Sequence, residues 1–248
     1  MTISVCLATY NGSEYITEQL KSILLQLRKH DEIIISDDNS TDNTVELIEQ
    51  LNDSRIKIVY NCKKRGHVSN FENALNYSTG DYIFLSDQDD VWVSNKVEAC
   101  LPYLEKYDCI ISNYLVVDKY LTPLVIPEYK SNLADNKYLF LKSFIINRGW
   151  LGCCVCFNKK VKNLVLPFPK KVVAHDVWIV NCATLLCSVF YLDEKLVLQR
   201  RHGNNISVLG DNDMVITNKS NSDLLTIINQ RLTILSYLIR LTNKKNIK

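Results

Sequence analysis

The chain has 248 residues, with 29 Lys and Arg against 27 Asp and Glu for a net charge of +2, and 47% of it is hydrophobic. Such apolar content excludes disorder as the main state, and only 7 Gly and 5 Pro exclude a collagen-like or linker chain. A near-neutral molecule has no overall field to draw in DNA or RNA, so no nucleic-acid partner is expected. The segment beginning Met1-Thr-Ile-Ser lacks the basic stretch that opens a secretion signal. The longest uncharged apolar run, 177–192, is 16 residues long and falls short of the roughly 20 a bilayer span needs. Nine cysteines at scattered spacings read as reduced, buried thiols, since the C-x-x-C at 153–156 has no second pair at zinc spacing. A cytoplasmic protein is expected.

The first 110 residues alternate strand and helix. Ile3–Ala8 is a short apolar strand, and Ser13 is placed to cap a helix whose Ile16, Leu20, Ile23, Leu24 and Leu27 keep the helical period. Glu32–Ser36 is a β-branched strand, and Ser40 with Asp42 opens a helix carrying Val45, Ile48 and Leu51. A strand over Arg55–Tyr60, a helix over Val68–Tyr77, a strand over Asp81–Ser86, a helix over Asn95–Tyr107 and a strand over Cys109–Asn113 follow. This alternation predicts right-handed crossovers and a mainly parallel sheet flanked by helices, with ligand beyond the carboxyl ends of the strands. Later, Trp150–Phe157 reads as a strand and Asp176–Leu186 as a helix running on towards another strand, while 200–220 is loop-like. The tail from Asp223 to Leu241 has a helical apolar pattern.

Asp87, Asp89 and Asp90 directly follow an apolar strand. Three carboxylates so close repel one another unless a cation or hydrogen bonds compensate them, and oxygen donors suit Mg²⁺ or Mn²⁺ carrying a phosphorylated substrate. Neither G-x-G-x-x-G after the first strand nor a G-x-x-x-x-G-K-[ST] loop is present, so dinucleotide oxidoreductase and P-loop readings lose their phosphate cradle.

The blocks SVCLATYNG at 4–12, IIISDDNSTDNT at 33–44 and GDYIFLSDQDDVW at 80–92, followed by HDVW at 175–178 and RRHGNN at 200–205, resemble the ordered motifs of family 2 glycosyltransferases. The last two forms resemble the rhamnosyltransferase-like bacterial members most closely. The resemblance implies an α/β GT-A fold of two abutting Rossmann-like halves, metal dependence and inversion at the sugar carbon. It places the glycosyltransferase domain at 1–220, with a nucleotide-sugar half at 1–113 and an acceptor half at 114–220, ahead of a C-terminal amphipathic helix and basic tail at 221–248.

Residue by residue, the resemblance implies that Asp38 accepts a hydrogen bond from the donor's pyrimidine, with Ala8 and Tyr10 lining the pocket and Arg65 and Asn70 on the same side. A carboxylate can take the ring N–H while a Tyr face covers the base, although Asp38 could instead cap the following helix. Asp87 is expected near the donor ribose or the metal shell and Asp89 on the metal, bridging it to the diphosphate. Asp90 either joins them or caps a turn. His202 is expected to complete the metal shell, and Arg200 to contact phosphate. Asp176 is the expected base, taking the acceptor hydroxyl's proton opposite the leaving group. Many relatives carry Glu-Asp where this chain has His175-Asp176, which puts acceptor contacts in question. Trp150 and Trp178 either stack on acceptor sugar faces or belong to the core.

The expected reaction moves a sugar from a nucleoside diphosphate carrier, dTDP-rhamnose first, otherwise a UDP-hexose or UDP-N-acetylhexosamine. The acceptor is a bacterial surface polysaccharide or lipid-linked oligosaccharide. The alternatives are a sugar-phosphate nucleotidyltransferase and a non-catalytic nucleotide-sugar binder. The basic tail, with Arg231, Arg240, Lys244, Lys245 and Lys248, either docks on the domain or lies on the inner face of an anionic membrane.

Overall fold

The computed structural model describes residues 1–63, 65–125, 150–172 and 174–203, together with 231–232, 235–237 and 239–240. Eight strands form one sheet in the order β3-β2-β1-β4-β7-β6-β8-β5. β1 (Ile3–Thr9), β2 (Glu32–Asp37), β3 (Ile56–Tyr60) and β4 (Tyr82–Asp87) are mutually parallel. Beyond β4 the sheet continues through β7 (Val155–Asn158), antiparallel to both its neighbours, then β6 (Cys109–Val117) and β8 (Val189–Arg200), parallel to each other. The two-residue β5 (Val91–Trp92) closes the far edge against β8.

The central strands are apolar on both faces because helices cover both. Cys6, Ile34, Ile83 and Leu85 face a core completed by α3 (His67–Tyr77), α5 (Lys159–Val165) and α6 (His175–Leu186). Their sequence neighbours Val5, Leu7, Ile33, Ile35 and Phe84 point the other way, into a core built with α1 (Ile16–Leu24) and α4 (Lys96–Leu104). The helix α2 (Thr44–Gln50) adds Ile48 to that second core. Alternate residues of one strand thus serve opposite layers, as the period-two geometry of a strand requires.

Several local expectations are corrected. Ser13 does not cap α1; the Gly12 carbonyl accepts from the amides of Tyr15 and Ile16, and the Ser13 amide donates to Asp42 at 3.2 Å. Ser40 does not cap α2 either, because its hydroxyl donates to Asp37 and holds the turn after β2, while Asp42 takes the Thr44 amide at 3.1 Å. The segment at 150–157 is only half strand, since Gly152–Cys154 forms a 3-10 turn before β7. β8 runs through Asp193-Glu194-Lys195 as one strand of 12 residues. The register jumps from Ser112 opposite Leu192 to Asn113 opposite Lys195, so the two acidic residues bulge out of an uninterrupted strand.

No helix among the described residues is long and apolar enough to cross a membrane. Most of the expected tail helix, including Lys244, Lys245 and Lys248, lies outside the described residues. Of the part that is described, Tyr237 sets its ring edge-on to Trp178 with centroids 6.3 Å apart, in contact with the α3–α6 core.

Candidate active site

The carboxyl ends of β1, β2 and β4 open on the same edge, and the expected nucleotide-side residues gather there. The Thr9 carbonyl accepts the Asp38 amide at 2.9 Å and the Asn70 side-chain amide at 3.1 Å, tying the loops after β1 and β2 to α3. Asp38 is not a cap for α2. Its carboxylate accepts from the Asn61 amide group and from the Gly66 backbone, each at 2.8 Å. Gly66 holds φ at 136°, a conformation that favours glycine. Ala8 packs against the core below, Tyr10 is 43% exposed, and the Arg65 guanidinium lies 5.8 Å from the centre of the Tyr10 ring. The buried Oδ1 of Asn70 has no hydrogen-bond partner among the described residues.

Between the two aspartates of the D-x-D element, Gln88 grips the β1 loop. Its Oε1 accepts from the Thr9 hydroxyl at 2.7 Å and the Tyr10 amide at 2.9 Å, and its Nε2 donates to the Tyr10 carbonyl at 3.1 Å. A Cβ on Gly12 would fall 2.4 Å from that same Oε1. Sequence reasoning missed this role, although an amide flanked by acids and facing a Thr-Tyr loop was visible.

The acidic cluster is packed more tightly than a solvated turn. Antiparallel pairing sets Phe84 opposite Cys156, and the 3-10 turn that leads into β7 brings Cys153 beside Asp87 at the end of β4. Ligand atoms of Asp87, Asp90 and Cys153 lie within 4.8 Å of one another. Burial, then the neighbouring Asp90 and Asp89 charges, holds the Asp87 carboxyl well above the usual carboxylate range. Burial and Asp89 likewise push Asp90 up to about 7. One Asp90 oxygen accepts the Arg200 amide at 3.1 Å, while the other is buried without a hydrogen-bond partner among the described residues. Asp90 is therefore not a helix cap. Asp89 meets His202, with Nε2 and Oδ2 2.9 Å apart and the imidazole against the Tyr15 ring at 4.7 Å between centroids. Crowded carboxylates, an orphaned buried oxygen and an adjacent imidazole are a donor set that fits a divalent cation.

Lys96 is the buried counter-charge beneath this cluster. It is 1% exposed, donates to the Cys153 carbonyl at 2.5 Å and lies 4.7 Å from the centre of the Trp92 ring. Nothing in the sequence singled it out, because lysine is ordinarily solvated. The expected phosphate contact by Arg200 is corrected. Its guanidinium is 2% exposed and donates to the carbonyls of Asp89 at 2.9 Å and Lys119 at 2.7 Å and to Glu18, so it is a strut holding β8, the D-x-D loop and α1 together.

Asp176 stands in the first turn of α6 and accepts the Val177 amide at 2.7 Å. Burial raises its carboxyl to about 6 despite that bond. Its charge is a lesser cause of the raised Asp87 carboxyl, after burial and the Asp90 and Asp89 charges. Trp178 is corrected to a core residue: it is 2% exposed and its indole N–H donates to the Val165 carbonyl at 3.0 Å. Trp150 is partly buried against Tyr191 at 5.5 Å between ring centroids, with an indole nitrogen that has no partner among the described residues. His175 turns inward, stacking on Phe71 with centroids 3.8 Å apart and 19° between planes, away from any acceptor.

Residues 4–160 match the family model of Glycosyl transferase family 2. The chain belongs to this family. Among family 2 proteins, it is 29% identical over 218 residues to the dTDP-rhamnosyl transferase RfbG of Shigella flexneri, covering 80% of this chain and 72% of RfbG. It is 31% identical over 129 residues to the UDP-Glc:alpha-D-GlcNAc-diphosphoundecaprenol beta-1,3-glucosyltransferase WfgD of Escherichia coli, covering 49% of this chain and 51% of WfgD. The chain thus spans about half of WfgD's length. Among solved structures, Staphylococcus aureus TarS 1–349 in complex with UDP-GlcNAc superposes with a TM-score of 0.68 at 20% identity, over 94% of this chain and 66% of TarS 1–349. The mannosyltransferase PcManGT of Pyrobaculum calidifontis, in complex with GDP-Man and Mn²⁺, gives 0.59 at 19%, over 79% of this chain and 56% of its own. The fold of this family 2 member is the GT-A fold.

Proposed function

We propose that the protein transfers a sugar, with inversion, from a nucleoside diphosphate carrier to a hydroxyl of a bacterial surface polysaccharide or lipid-linked oligosaccharide. The observation that carries this reading is the acidic cluster at the carboxyl end of β4, where Asp87 and Asp90 crowd against Cys153 and Asp89 meets His202 at 2.9 Å. The similarity to RfbG along most of both chains supports dTDP-rhamnose as the donor, and WfgD supports a UDP-hexose as the next choice.

In this reading Tyr10 and Asp38 hold the pyrimidine, with Ala8, Arg65 and Asn70 around them, and Asp87 faces the ribose. Asp89 and His202 would hold Mn²⁺ or Mg²⁺, which when bound neutralises charge on the departing diphosphate. Asp176 receives the acceptor hydroxyl's proton on its carboxylate, which the Val177 amide helps to hold in place. Its anionic charge also steadies the oxocarbenium-like character that develops on the sugar. Residues 1–113 serve the donor and 114–220 the acceptor, with Trp150 at the acceptor side.

Thermal-shift screening against nucleotide sugars with Mn²⁺ identifies the donor, because a ligand bound only by the native state raises Tm. Asp89→Ala is expected to lose the metal-dependent part of that shift. Asp176→Asn is expected to keep it and lose transfer, and full transfer by Asp176→Asn would remove that residue from the base role.

A further inference from the structure

We infer that Gly152 and His175 form a seat that positions the base, and that Gly152 must lack a side chain for the seat to form. The inference rests on the proposed role of Asp176 and names positioning residues for that role.

The turn Gly152–Cys154 is fixed from several sides. The Leu151 carbonyl takes the Cys154 amide at 2.9 Å, the Cys153 carbonyl takes the Lys96 ammonium at 2.5 Å, and the Cys154 carbonyl takes the Ser112 hydroxyl at 3.3 Å. The Gly152 amide of this turn, set beside His175, reaches the Asp176 carboxylate. The turn therefore joins the base directly to the carbonyl that anchors Lys96 under the D-x-D cluster.

On its other side Gly152 abuts His175. A Cβ at Gly152 would lie 2.4 Å from His175 Nε2, a full ångström inside ordinary contact. The ring cannot yield, because it is 6% exposed and stacked on Phe71. Both ring nitrogens lack hydrogen-bond partners among the described residues, and burial lowers the imidazole to about 3, so the ring is neutral and is held by shape alone. A methyl group at 152 must then push the turn away from α6, taking the amide off Asp176. A displacement of about 1 Å at a reacting group costs on the order of 100-fold in rate.

The test is a double-mutant cycle on the full chain with the donor identified by the screen. Gly152→Ala is expected to lower kcat about 100-fold while donor KM stays within about threefold, since the β1–α3 pocket is untouched. Removing the ring opens the space the methyl needs, so Gly152→Ala/His175→Ala is expected to turn over at least about tenfold faster than Gly152→Ala. Wild-type kcat in Gly152→Ala, or a double variant no faster than that single, overturns the inference. If Gly152→Ala does not fold, the double variant is compared with His175→Ala. Equal or higher kcat supports the seat, and lower kcat overturns it. Asp176→Asn is the control: if it transfers sugar, the base assignment fails, whereas an inactive Asp176→Asn beside a fully active Gly152→Ala sinks the seat alone.

Discussion

Asp176 carries opposite consequences for stability and for activity. Burial raises its carboxyl from 3.8 to about 6, so the folded protein resists ionising it more than the unfolded chain does. That contribution is fully present below pH 3.8 and is lost as the pH rises through about 6. Asp176→Asn should therefore be more stable than wild type at pH 8, by about 1–3 kcal/mol, with the gain vanishing near pH 4; urea midpoints at the two pH values check it. In the proposed role of base Asp176 must be ionised, so the wild-type rate should fall on the acid side of about pH 6. Gln88 makes a different prediction. Replacing it with Ala removes the grip on Thr9 and Tyr10, and UDP or dTDP binding by calorimetry should weaken about tenfold. The acids themselves were legible in the sequence, because carboxylates clustered at a strand end conflict with one another unless something compensates them. Gln88, Lys96 and Gly152 were not, since an amide's partners, a lysine's burial and the clearance beside a glycine exist only after the chain has folded.

Elements with a clear hydrophobic period were read within a residue or two at their starts, whereas α4 stops at Leu104 instead of Tyr107 and β6 runs on to Val117 instead of stopping at Asn113. β1 to β4 and α1 to α4 all lie where the alternation of apolar residues put them. Other failures come from side chains recruited by neighbouring segments. β8 hides behind its acidic bulge, and the helix starts lost their expected Ser caps to neighbouring loops. Arg200 shows the energetic side of such recruitment. Arg200→Ala strips donors from the Asp89 and Lys119 carbonyls and should cost about 2–4 kcal/mol by chemical denaturation, with metal-dependent donor binding weakened because His202 follows it in the chain. Trp178 separates packing from recognition. Trp178→Phe forfeits the bond to Val165 and should cost about 1–2 kcal/mol while leaving acceptor KM unchanged, as expected of a residue that sugar does not reach.

For the whole molecule the decisive feature is that a single sheet joins β1 to β4 with β6 and β8 through the β4–β7 pair. Two halves sharing a backbone ladder cannot swing apart as separate lobes. Scattering measurements with and without donor and Mn²⁺ should show a radius of gyration constant to within about 1 Å. The same ladder governs what change the site can tolerate. Asp87 at the end of β4 and Cys153 in the turn leading into β7 are brought together by the strand pair that sets Phe84 opposite Cys156. One residue inserted into either strand between those points would slide the acids by about 3.3 Å against the base and turn their side chains to the wrong layer. Surface connections in such an enzyme can lengthen freely as acceptors diversify, whereas these two short strands act as its ruler and admit substitution but not insertion.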